Sequence, residues 1–325
     1  MVDYVPESAY AETMWSTVRP YLEARKSEGR LESFDGSKLY YAIYTCDNPV
    51  RSMVILHGFT ESVEKFAELS YYFMQTGCNI YLLEQRGHGR SDRSVDDLTL
   101  THVAHFEDYV RDLEIFMEQV VPRDKPRCVY AHSMGGAVAT WYMEKYPFDF
   151  DKAILSAPMI APQRGGFPLW AAKLACMVPI GLGKSKKRTF ISGEYPGHEE
   201  FQNSFATSQA RFDDYESLRT ATPVFQNYSP TYRWTLEALR VTRKILKRGA
   251  PEGIQTEVLL LQGELDNVVV PEAQQKLIDR LPHGTLQKVM GAKHEIYRSH
   301  DAVLQPVVEQ MLAFLQTGAR TDKGL

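Results

Sequence analysis

At 325 residues the chain exceeds the about 150 residues typical of one domain but lies within the range of α/β folds that run past about 250 as a single unit. Its 44% hydrophobic, 24% charged and 11% aromatic content excludes disorder, collagen-like repeats and a coiled coil. With 37 basic against 41 acidic residues and a formal net charge of −4, nothing draws the whole protein to nucleic acid or to an anionic membrane, and any basic site must be local.

The first residues, Met1 to Tyr10, carry Asp3 and Glu7 without a basic or an apolar leader region, so they do not read as a secretory signal and a cytoplasmic location is expected. A polar helical segment follows. Leu31 to Thr45 reads as a hairpin, because Asp35-Gly36 is a turn pair and Leu39, Tyr41 and Ile43 alternate beyond it. Met53 to Leu56 is apolar on both faces, as a strand inside a parallel sheet is, and ends at His57-Gly58. A helix from Val63 to Thr76 stops at Gly77. The unit recurs with the strand Asn79 to Leu83, the helix His105 to Val121, the strand Cys128 to Ala131, the helix Met134 to Tyr146 and the strand Ala153 to Leu155. From Pro158 to Gly253 helical patches, prolines and aromatics replace any buried strand, which marks an insertion. The rhythm resumes with Val258 to Leu261, the helix Pro271 to Leu281, the strand Leu286 to Met290 and a last helix from Asp301 to Gln316.

Four cysteines, Cys46, Cys78, Cys128 and Cys176, stand far apart with no C-x-x-C pair, so neither zinc nor a disulfide frame is implied. The most apolar stretch, Phe167 to Leu182, is too short for a bilayer span and contains Lys173 and Pro179.

The strongest chemical signal is Ala131-His132-Ser133-Met134-Gly135-Gly136, where a strand runs straight into a helix with a serine at the junction. A sharp strand-to-helix turn lifts the hydroxyl clear of the sheet and tolerates only small residues two positions before and after it. Ala131 and Gly135 meet that demand, and Gly136 is expected to let the helix lie close to the strand. An isolated serine there is more often a helix N-cap. What raises it above that reading is its company: a serine nucleophile needs a base and an acid to orient the base, and Asp266 and His294 follow in that order, each just after a buried strand. All three fall at the carboxyl ends of parallel strands, where open α/β sheets place their sites. Glu264 is the rival acid, disfavoured because it sits closer to the strand end and its side chain would have to fold back. The oxyanion requires backbone N–H donors, and the candidates are Met134, just after the serine, and Phe59, in the His57-Gly58-Phe59-Thr60 loop, whose ring would line the acyl pocket.

Taken together, His57-Gly58, Arg86-Gly87-His88-Gly89-Arg90-Ser91, Ala131-His132-Ser133-Met134-Gly135-Gly136, Gly263-x-x-Asp266 and His294 resemble the α/β-hydrolase superfamily, within it the monoacylglycerol lipase and bacterial lysophospholipase group, over Leu31 to Leu315. Departures are Glu84, where the family commonly has Asp, and Ala131, where it commonly has Gly. The resemblance implies an α/β-hydrolase fold: a mostly parallel central sheet flanked by helices, with a helical cap inserted between the sixth and seventh strands. Residues 1–157 and 254–325 are then the core and 158–253 the cap. It implies a serine hydrolase that cleaves single-chain lipid esters, lysophospholipid or monoacylglycerol, with no cofactor. Alternatives on the same scaffold are a small-ester carboxylesterase or a serine peptidase of the proline iminopeptidase kind, and from another class a non-catalytic ligand-binding module.

In the insertion, Phe167, Trp170, Leu174 and Met177 are candidate substrate-binding residues, expected to wall an acyl tunnel or to settle transiently on a membrane surface; the competing reading is that they only cover the sheet. Lys184-Ser185-Lys186-Lys187-Arg188 is a local positive cluster that would attract a phosphate head group, or is simply a solvated loop. Gly183-Lys184-Ser185 is not a P-loop, since Val178 stands where that motif needs Gly.

Overall fold

Eight strands form one sheet in the computed structural model, which describes residues 2–317; Met1 and residues 318–325, the outermost positions of the expected core, lie outside the described residues. The strands are β1 Lys26–Glu32, β2 Lys38–Tyr44, β3 Arg51–Leu56, β4 Cys78–Leu83, β5 Arg127–His132, β6 Lys152–Ser156, β7 Glu257–Gly263 and β8 Gly284–Val289. Their order is β1-β2-β4-β3-β5-β6-β7-β8. Only β2 pairs antiparallel with its neighbours, and every contact from β4 to β8 is parallel. β5 and β6 are buried at every position, as strands covered on both faces must be.

Alternation along β3 shows how the two layers arise. Val54 and Leu56 point into one core, shared with helices α2 (Glu107–Gln119) and α3 (Met134–Lys145), whereas Met53 and Ile55 point into the other, shared with helices α1 (Ala67–Met74) and α8 (Asp301–Gln316). That second layer also takes the N-terminal helical stretch, where Tyr10, Met14, Val18 and Leu22 repeat every four residues and are all buried. The stretch expected to be polar therefore carries an apolar stripe at helical spacing. β1 begins at Lys26, five residues before the expected hairpin.

Between β6 and β7 the chain forms α4 Leu169–Gly181, α5 Gln209–Ala221 and α6 Tyr232–Ile245, and α7 Pro271–Ile278 follows β7. Contrary to a strand-free reading, Ser229–Pro230 makes a two-residue parallel ladder with Leu100–Thr101. α4 packs on α6 through Cys176, Ala172 and Ile180 against Leu236 and Leu239. Among the described residues no helix is long and apolar enough to cross a membrane.

From β3 the chain steps to β4 on one side, then crosses back to β5 on the other. That reversal opens a crevice at the carboxyl ends of β3 and β5, where doubly wound sheets bind their ligands. The loops leaving those strands are 57–60 and the Ser133 turn.

Candidate active site

Ser133 joins β5 to α3 with φ 50° and ψ −116°, a conformation that favours glycine and costs an ordinary residue about 1–3 kcal/mol. Its neighbours hold it there: its N–H donates to Ser156 O at 3.1 Å, and its carbonyl accepts from Met159 N–H at 2.8 Å. A Cβ on Gly135 would stand 2.4 Å from Leu56 O and 2.7 Å from His57 O, so α3 abuts the end of β3 and no side chain fits. Gly136 is needed for a different reason from the expected one. Its Cβ would clash with Pro158 Cβ at 2.5 Å, in the loop after β6, while meeting Ala131 O of the strand before the helix only at an ordinary 3.6 Å.

Three of the sequence candidates meet. His294 Nε2 lies 2.8 Å from Ser133 Oγ, and His294 Nδ1 lies 2.7 Å from Asp266 Oδ2. The other Asp266 oxygen accepts from the amides of Val268 at 2.8 Å and Val269 at 3.3 Å. Burial alone would raise the Asp266 pKa, but His294 and those two amides outweigh it and hold the carboxyl below its ordinary value. Glu264 points elsewhere, accepting from Gly291 N–H at 2.9 Å at the surface. In this geometry Asp266 fixes the proton on Nδ1, which leaves Nε2 free to take the serine proton.

Phe59 lies in the loop after β3 and Met134 is the first residue of α3. Among the described residues neither amide has an acceptor, so both are available to a developing oxyanion. The loop after β3 is braced by His57. Its Nε2 accepts from Gln85 N–H at 2.9 Å, its Nδ1 lies 2.7 Å from Gly58 O, and Gln85 Nε2 donates to His57 O at 2.5 Å. Burial lowers the His57 pKa and pushes that of His132 down to about 4, so both rings stay neutral. The uncharged His132 ring, 4.8 Å from the ring of His294, does not oppose an imidazolium forming there. His88 is buried edge-on to His57 at 5.0 Å, between Gly87 and Gly89, both with positive φ, so this turn supports the His57 ring.

Besides Pro158 and Met159, two aromatic side chains of the insertion reach the site. Trp234 of α6 lies 4.1 Å from the Phe59 ring, and Phe205 meets His294 edge-on at 6.0 Å while its carbonyl accepts from Glu295 N–H at 3.1 Å. Sequence reasoning missed Phe205, which lies in a segment without periodicity. It also missed Glu61, Lys65 and Glu295, which form a buried ion-pair chain beside the triad; the spacing Gly58-x-x-Glu61 was the available signal.

The four candidate substrate residues lie elsewhere. Phe167, Trp170, Leu174 and Met177 are 65%, 71%, 51% and 49% exposed, so they form an outward apolar surface and do not enclose a tunnel. For the three in α4 the reason is helical phase: α4 turns Ala172, Cys176 and Ile180 inward, leaving the other face outside; Phe167 precedes the helix. The basic cluster is partly committed as well. Arg188 pairs with Glu194 at 2.9 Å and Asp97 at 3.6 Å, and Lys186 donates to Ser94 O at 2.8 Å, which leaves Lys184 and Lys187 as its exposed lysines with no such bond to Ser94, Asp97 or Glu194.

Residues 47–301 match the family model described as serine aminopeptidase, S33. The chain is 27% identical to lysophospholipase L2 of Escherichia coli K12 over 327 residues, covering 95% of this chain and 92% of that one. It is 28% identical to the monoacylglycerol lipase of Mycolicibacterium smegmatis over 169 residues, 49% of this chain and 58% of that one. Its fold is like that of a soluble variant of monoglyceride lipase from Saccharomyces cerevisiae solved with a substrate analogue, with TM-score 0.69 and 21% identity over 89% of this chain and 95% of that one.

Proposed function

Since the chain belongs to the serine aminopeptidase S33 family of α/β-hydrolases, we propose that it is a serine hydrolase of single-chain lipid esters, with lysophospholipid and monoacylglycerol as its substrate class. The observation that carries this reading is the continuous hydrogen-bond chain Ser133 Oγ, His294, Asp266. The lipid substrate is supported by the lysophospholipase relative that aligns with nearly the whole chain.

The reaction follows from the geometry. Ser133 Oγ attacks the ester carbonyl carbon as its proton passes to His294 Nε2. The carbonyl oxygen takes up the negative charge and accepts the N–H groups of Phe59 and Met134, the second at the positive end of the α3 dipole; each such donor is worth about 10²–10³ in rate. His294 then returns its proton to the departing alcohol, leaving an acyl-serine. A water deprotonated by His294 attacks that acyl-serine, releasing the fatty acid and restoring the hydroxyl. Every proton lost at one step is given back at the next, so no cofactor enters.

The insertion, residues 158–253, serves on this reading as a cap that meets the lipid surface transiently. Support comes from the outward apolar face of α4, together with exposed Leu182, Phe190 and Ile191 and the exposed lysines 184 and 187. Apolar side chains flanked by lysines suit an interface with anionic lipid. The free cysteines, three of them buried, fit a reducing compartment. The test is hydrolysis of lysophosphatidylcholine, monoolein, a short p-nitrophenyl ester and a prolyl amide, with products identified by mass spectrometry. Fatty acid release from the two lipids is expected; preference for the prolyl amide would move the protein to peptide chemistry.

A further inference from the structure

Beside the triad, four charged side chains alternate in sign within the protein. Glu61 Oε1 accepts from Lys65 Nζ at 2.9 Å, Lys65 Nζ also donates to Glu295 Oε1 at 2.6 Å, and Glu295 Oε2 accepts from Arg298 Nη1 at 2.6 Å. All four side chains are at least nine-tenths buried, and their charges cancel in sum. Burial alone would raise both acids, but the Lys65 ammonium outweighs it, with the Tyr297 hydroxyl helping at Glu61 and Arg298 at Glu295; both carboxyls are held well below the usual range. They are therefore ionised at any working pH.

The two acids of this chain lie against catalytic backbone. Glu61 Oε2 accepts the N–H of Gly58 at 2.5 Å, and Gly58 immediately precedes Phe59, the donor assigned to the oxyanion. The Tyr297 hydroxyl donates to the first Glu61 oxygen at 2.5 Å. Glu295 immediately follows His294. Thr60 takes φ 60°, a strained value for a residue with a β-branched side chain; it bends the loop back so that Glu61 reaches Gly58 three residues earlier. A Cβ on Gly58 would stand 2.9 Å from Glu61 Oε2, 3.0 Å from His132 Cδ2 and 3.1 Å from Ser133 Cβ, which leaves the loop one close-packed position against the nucleophile.

We infer that Glu61 is a positioning residue: through Gly58 on one side and through Lys65 and Glu295 on the other, it fixes the Phe59 amide in register with His294. The inference rests on the hydrolase reading above. A donor misplaced by about 1 Å loses about 10²-fold in rate while substrate binding is little altered. Gln at position 61 keeps the shape but lacks the charge that pairs with Lys65, and it presents an NH₂ group to at least one donor that needs an acceptor.

The experiment measures kcat and KM on a p-nitrophenyl ester, and thermal stability, for wild type, Glu61→Gln and the double variant Glu61→Gln/Lys65→Met, which restores charge balance. The expected result is a 10- to 100-fold fall in kcat for Glu61→Gln with KM within about twofold, and a double variant that regains stability while kcat stays low. Recovery of kcat along with stability would reduce the chain to a structural role and overturn the inference, as would wild-type kcat in a folded Glu61→Gln. Should either charge variant fail to fold, Tyr297→Phe, which deletes one hydroxyl on Glu61, decides: a kcat fall of threefold or more at unchanged KM supports the inference, and wild-type kcat overturns it. A wild type that does not hydrolyse the ester would refute the hydrolase reading instead.

Discussion

Replacing Asp266 by Asn tests the hydrogen-bond logic of the triad because the structure dictates which way the new amide must face. One Asp266 oxygen accepts two backbone N–H groups, from Val268 and Val269. The Asn carbonyl must take that position, since an NH₂ group there would face two donors. Its NH₂ is then turned toward His294 Nδ1, 2.7 Å away in the wild type. Nδ1 must accept, the proton moves to Nε2, and Nε2 meets Ser133 Oγ as a donor unable to remove its proton. The loss expected from a wrong tautomer is about 10⁴ in kcat, or about 5.5 kcal/mol of transition-state stabilisation, with the fold intact because every backbone partner keeps its bond. The assay is steady-state hydrolysis of a p-nitrophenyl ester beside circular dichroism, with Glu264→Gln as control; that carboxylate accepts from Gly291 N–H at the surface, away from the triad, so its activity should stay within about twofold. A folded Asp266→Asn that keeps more than a tenth of wild-type kcat would refute the reasoning.

Gly135→Ala sets a methyl 2.4 Å from one carbonyl oxygen and 2.7 Å from the next; α3 must move off β3, and activity should fall at least about 10²-fold, checked by the same assay, with full activity contradicting the close approach. Arg211 bonds Glu68 at 2.8 Å, Asp301 at 2.9 Å and Ser299 O at 3.1 Å, so Arg211→Met should cost about 3–5 kcal/mol in urea unfolding by leaving a buried carboxylate unpaired; an unchanged midpoint would show that Glu68 finds another partner. Glu84 is fully buried, and burial, opposed by Arg90, pushes its carboxyl up to about 7 from an ordinary 4.5. With the folded value above the unfolded one, the native state holds the extra proton, and this contribution is full below about 4.5 and lost as pH rises through about 7. Wild type should therefore lose up to about 3 kcal/mol more than Glu84→Gln between pH 4.5 and 8; parallel stability curves would contradict it.

The sheet and the triad were legible because both are written locally. Short apolar runs alternating with helical spacing mark the parallel strands, and Ser133, Asp266 and His294 each stand just after one. Glu61 was not legible, because its meaning depends on Glu295, far along the chain, meeting it through the nearby Lys65; read locally, Glu61 belongs to the polar start of a helix. Arg211 joins residues separated by 88 to 206 positions, a pairing that no periodicity encodes. The α4 residues were misjudged for another reason. Their apolar character is plain in sequence, but which side of the helix faces inward is set by its packing on α6. The N-terminal stripe was visible at four-residue spacing, yet charged residues between its members hid it.

The central claim, that Ser133 is an activated nucleophile, is tested most directly by treating the folded protein with a fluorophosphonate and locating the adduct by peptide mass spectrometry. A single phosphonyl group on Ser133, formed in the wild type and absent from Ser133→Ala, is the predicted result. A folded wild type that stays unmodified, or carries the label on another residue, would contradict the claim.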